Sequence, residues 1–151
     1  MNNQTSPWGK IVATAPLGEL PLAITLSPDN RRVYLVTSLG KRLTVFDAAT
    51  LKPIAGPIEI ECKRGIAFLA DAPPGKGRIL IGGSVERGEM GAVTVFDATT
   101  LERVGEPIKV FGDNPVGIRV LPGVSPNKAR VVVLHDGGHK PGKVRPSTLR
   151  R

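Results

Sequence analysis

Cysteine is nearly missing from this chain: Cys62 stands alone, so no internal disulfide can form. A lone cysteine is either a small buried hydrophobe or a free thiol, and with no histidine near it in sequence the structural role is expected. Aromatic residues make up 4% of the chain, with one Trp and one Tyr. That scarcity argues against the stacking surfaces with which proteins hold single-stranded nucleic acid. There is no apolar run of eighteen residues, which excludes a membrane-spanning helix. Residues 1–8 form a polar leader without a basic stretch followed by an apolar one, so no secretory signal is read there and a cytoplasmic location is the default expectation. No segment sustains apolar residues at i, i+3, i+4 and i+7, and long helices are therefore not expected.

Acidic residues are scarce only at one end. Residues 128–151 carry seven Lys and Arg against the single Asp136, while residues 1–127 carry fourteen against twelve acids. The net charge of +8 is thus mostly a property of a basic tail, taken as flexible over 136–151, and nucleic acid is not the expected partner.

What the chain has in quantity is Gly, Pro and short apolar runs: eighteen Gly and fourteen Pro are dispersed throughout. Such punctuation suits many short strands joined by turns. It also has a repeat. Residues 43–60 return as 93–110 without a gap, with half of the eighteen positions identical, among them Val45/Val95, Phe46/Phe96, Asp47/Asp97, Leu51/Leu101 and Pro57/Pro107. A period of about 50 residues signals a repeat architecture. Strands are expected at 21–26, 33–37, 42–47 and 53–60, then at 65–69, 78–82, 93–97 and 103–110, then at 115–120 and 130–134, with a weak last strand near 142–150. Residues 9–15 read as a lone strand in the position of a fourth strand. Several strands are apolar at consecutive residues, such as Val131 to Leu134, and need cover on both faces.

A four-stranded unit recurring every 40 to 50 residues is the pattern of a β-propeller. The chain resembles the YVTN-type propellers, related in pattern to surface-layer and lactonase-like propellers, through Ala23 to Asn30, Arg32 to Thr37 and the Phe-Asp-Ala-x-Thr-Leu elements at 46–51 and 96–101. The expected fold is all-β, a partial β-propeller of about two and a half to three four-stranded antiparallel blades. Its units run over 21–60, 63–110 and 115–145 within repeats spanning 9–135. Phe46 and Phe96 are expected in equivalent buried places.

Chemistry is harder to find in these residues. Asp47 and Asp97 recur in matching places, which suits a turn-capping acceptor better than a catalytic carboxylate, needed once in an asymmetric site. His135 and His139 flank Asp136 in a Gly-rich stretch, read as a solvated loop with no third metal ligand. No catalytic residue, metal site or cofactor pattern is complete. In an antiparallel meander the connections from fourth to first strand and from second to third lie at one end. That end gathers Lys63, Arg64, Glu86, Arg87, Asp113, Asn114, Asp136 and His139, the expected binding face. The expected function is a non-enzymatic module that binds or scaffolds a protein or small ligand there. A fragment of a lactonase-type hydrolase, and a truncated propeller without activity of its own, are the alternatives. Because typical rings hold four to eight blades, a head-to-tail homodimer is the expected way to complete one.

Overall fold

A computed structural model of the chain describes residues 14–38, 41–61, 64–70, 77–83, 90–113, 115–121, 130–135 and 143–148. Among them are eleven strands and no helix. The first sheet comprises β1 (Pro21–Leu26), β2 (Arg32–Thr37), β3 (Arg42–Asp47) and β4 (Pro53–Glu59) in that order, each antiparallel to the next. The second comprises β5 (Gly65–Leu69), β6 (Arg78–Gly83), β7 (Met90–Asp97) and β8 (Ile108–Asp113), again a meander. In the third, β10 (Arg130–His135) lies between β9 (Pro115–Val120) and β11 (Lys143–Thr148).

The turns explain the meanders. The amides of Ala49 and Thr50 donate to Asp47 Oδ1 at 3.1 and 2.8 Å, and those of Thr99 and Thr100 donate to Asp97 Oδ1 at 2.8 and 3.1 Å. The Leu51 and Leu101 amides then reach back to the carbonyls of Asp47 and Asp97, both at 2.9 Å, and both leucines take a positive φ, 54° and 61°. A left-handed Leu costs about 1 kcal/mol or more, so the same strained turn at both sites marks a structural device inherited with the repeat.

The sheets stack face to face, and β5 packs beside β1 on one side and β9 on the other. Between the first two sheets, Tyr34, Val36, Leu43 and Val45 meet Ile66, Ile79, Ile81 and Phe96. Between the second and third, Leu69, Leu80, Val93 and Val110 meet Ile118, Val131 and Val133. The middle sheet is covered on both faces, as its consecutive apolar residues require. Gly65 allows the first strands to approach: a Cβ there would lie 3.1 Å from the Cα of Gly117.

The structure corrects several expectations. The fourth strand of the second unit runs over Ile108–Asp113 rather than 103–110, with Arg103 making only an isolated bridge to Phe96. Gly105, at φ 71°, bends the chain, and Pro107 has no amide hydrogen to give the ladder. Lys143–Thr148, read from sequence both as part of a flexible tail and as a weak last strand, forms β11, for which the edge of β10 offers a ladder. The lone strand expected over 9–15 lies outside the described residues at 9–13, and residues 14–15 belong to no strand. Phe46 is only half-buried, whereas Phe96 is 6% exposed. Both point toward the preceding sheet in the stack, and no described sheet precedes the first one.

Phe96→Ala should therefore cost about 3–5 kcal/mol, the range for deleting a buried aromatic, and Phe46→Ala clearly less. Urea denaturation of both variants in dilute solution checks this, and equal losses would contradict the stacking order.

Candidate functional site

The expected binding face can be placed in part. Arg64 is exposed and precedes β5, its backbone amide donating to the Gly82 carbonyl at 2.8 Å. Asp113 is the last residue of β8, its backbone opposite Met90. The topology puts both at one end of the second sheet. Lys63, Glu86, Arg87, Asn114, Asp136 and His139 lie outside the described residues, so the structure does not assemble the face as a whole.

At the same end are residues that sequence reading missed. Glu19 accepts from Thr37 Oγ1 at 2.5 Å and pairs with Arg42 at 3.0 Å, tying the segment before β1 to β2 and β3. The Arg42 side chain is half-exposed, so the ion pair contributes little, and the shorter contact to the buried Thr37 matters more. His135, read from sequence as part of a solvated loop, ends β10 and is 6% exposed. Its Nδ1 is buried and has no hydrogen-bond partner among the described residues. The reason is strand alternation: Val131, Val133 and His135 fall on the face turned to the second sheet. That period of two was present in the sequence and outweighs the Gly-rich stretch that follows.

At the opposite end, a cleft of about 470 Å³ opens between the first two sheets. Ser27, Pro28, Asp29, Arg32 and Tyr34 line it from one sheet, and Phe68, Ala70, Gly77, Ala98 and Thr99 from the other. The β1–β2 turn builds one wall. Ser27 Oγ donates to Asp29 Oδ1 at 2.5 Å and accepts from the Arg32 amide at 2.9 Å, while the Arg31 amide donates to the same carboxylate oxygen at 3.1 Å. The Ser27 bond, then the Arg31 amide, hold the Asp29 carboxyl below its ordinary value. Tyr34 closes the floor, donating its hydroxyl to the Ala98 carbonyl at 3.0 Å and lying 5.6 Å from the Phe68 ring. Burial raises the Tyr34 pKa.

The two units treat one register pair differently. Arg78 and Asp97 face each other across β6 and β7 and form an ion pair of 2.7 Å. Arg32 and Asp47 face each other in the same way, yet Arg32 has no carboxylate partner among the described residues and lines the cleft instead. The cleft thus joins a guanidinium that interacts with the Tyr34 side chain to aromatic and apolar walls, a chemistry suited to a small anionic group on an apolar body.

No family model matches the chain, and no curated protein matches it. Among solved structures the chain is similar to Kuenenia stuttgartiensis hydrazine synthase, with a TM-score of 0.61 and 23% identity over 94% of this chain. The likeness is one of fold. The chain spans 38% of that neighbour's chain.

Two outcomes follow from this geometry. Tyr34→Phe should cost about 1–2 kcal/mol, since it strands the Ala98 carbonyl in a buried place, and thermal or urea unfolding will register it. The Asp97 carboxyl is held below its ordinary 3.8 by the Thr100 and Thr99 amides and then by Arg78. A depressed folded pKa gives stability that is present above the unfolded value and lost as pH falls through the folded one. Unfolding free energy should drop on acidification below about pH 4, and drop less in Asp97→Asn, when urea curves at pH 7 and pH 3 are compared.

Proposed function

We propose that the chain is a run of β-propeller blades that serves as a non-enzymatic binding or scaffolding module, with its partner held on the end that carries Arg64, Asp113 and His135. The observation that supports this most is the stack itself: consecutive antiparallel meanders with β1, β5 and β9 side by side, the arrangement of first strands in blades set around an axis. The fold likeness to a solved structure agrees with a stacked-sheet architecture and is silent on activity. Support for the chosen end is the inward His135 with its unpartnered Nδ1, a polar atom whose desolvation is not offset within the described chain. Arg64 adds an exposed cation where the matching residues of the other units are Leu22 and Val116.

Affinity capture from cell extract with three baits tests the reading. A partner retained by the native chain and by Arg32→Ala, but lost with Arg64→Glu, supports binding at this end. A partner lost only with Arg32→Ala would move the function to the opposite cleft. Hydrolysis of a panel of lactones above background, abolished by Arg64→Glu, would favour the lactonase-type alternative.

A further inference from the structure

The repeat supplies a comparison for the cleft between the first two sheets. Arg32 and Tyr34 of β2 stand where β6 has Arg78 and Leu80, and Asp47 stands where β7 has Asp97. In the second unit the arginine is taken up inside the sheet: Arg78 pairs with Asp97 at 2.7 Å, and the buried Leu80 offers no polar atom to turn toward. In the first unit Asp47 turns its Oδ1 to the Ala49 amide and to the amide and hydroxyl of Thr50, and Arg32 has no carboxylate partner among the described residues. Arg32 interacts instead with the Tyr34 side chain and lines the cleft. A phenol in place of an isobutyl group thus coincides with a cation moved from an internal pair to the wall of an open space of about 470 Å³.

The other walls narrow what that cation can hold. Phe68 is half-buried and Pro28 and Ala70 are exposed, so an apolar body in the cleft has carbon to cover on both sides. Gly77 lets the Phe68 ring lie against the backbone, where a Cβ would overlap it. Asp29 also lines the cleft, but its Oδ1 is held within the β1–β2 turn by the Ser27 hydroxyl and the Arg31 amide. A guanidinium meets a carboxylate through two parallel hydrogen bonds, a fit that a single uncharged acceptor does not reproduce.

We infer that this cleft is a binding site for a small carboxylic acid with an apolar body, its carboxylate on Arg32 and its body against Phe68 and Ala70. The site lies at the opposite end of the sheets from Arg64, Asp113 and His135, so it goes beyond the partner proposed above and stands whether or not that partner exists. It needs only the first two sheets and the contact between them. Arg32 is exposed, which keeps the charge cheap to hold and makes the apolar contact a necessary part of the affinity.

Titration of the native chain with phenylacetate, phenylacetamide and phenethylamine, followed by amide chemical shifts, tests the site. Phenylacetate should bind saturably in the millimolar range or tighter, and the uncharged amide about tenfold more weakly. The shifts that move should cluster at Ser27, Phe68 and Thr99. Arg32→Gln should weaken phenylacetate about tenfold and leave phenylacetamide unchanged, while Lys52→Gln, which removes an exposed cation outside the cleft, should bind as the native chain does. If Arg32→Gln fails to fold, the comparison of acid with amide on the native chain still decides the role of charge. Equal binding of acid and amide, or none of the acid up to about 20 mM, would overturn the inference. Tighter binding of phenethylamine would overturn it in favour of a cation held by Asp29. Shifts gathered at Arg64 and Asp113 instead would overturn the cleft and leave the proposed function standing.

Discussion

The structure depends on apolar packing between successive sheets. Ile66, Ile79, Ile81 and Phe96 are apolar on the face turned to the first sheet, and Leu69, Leu80 and Val93 on the face turned to the third. A sheet written this way cannot leave either face in water without losing roughly 1.5–3 kcal/mol per large side chain. Stacking satisfies it, and the close approach at Gly65 and Gly117 brings first strands together so that the sheets need no helices between them.

Polar groups then hold the stack in register. Asp47 and Asp97 satisfy the amides of their own turns, which keeps β3 and β4, and β7 and the Arg103 bridge, at fixed separation. Tyr34 reaches further, since its hydroxyl binds the Ala98 carbonyl in the next sheet. This side-chain bond couples a strand in the first sheet to a turn of the second, and it sets the floor of the cleft there. The matching position, Leu80, fills the same space with hydrocarbon alone.

The two ends of the stack offer different chemistry. One end has Arg64, the Glu19–Thr37–Arg42 cluster and the buried His135; the other has the cleft with Arg32 free of its register partner. Fold alone does not choose between them, because a repeat scaffold carries its function in the side chains at its ends and not in the sheets that support them.

Strand order, the repeat and the role of the two aspartates were legible in the sequence by itself, because each depends on local signals: apolar runs, turn residues and the period of about 50. Strand limits near Gly105 and the pairing of Lys143–Thr148 were less so, since a positive φ and a free strand edge are properties of neighbours. Only the tertiary structure decided burial. Phe46 and Phe96 have the same local sequence, yet Phe96 is buried against a neighbouring sheet and Phe46, with no sheet before its own among the described residues, is half-buried. His135 sits before a Gly-rich stretch, yet alternation along β10 turns it inward. The cleft exists because one sheet lies against another, and no residue encodes alone what stands across from it.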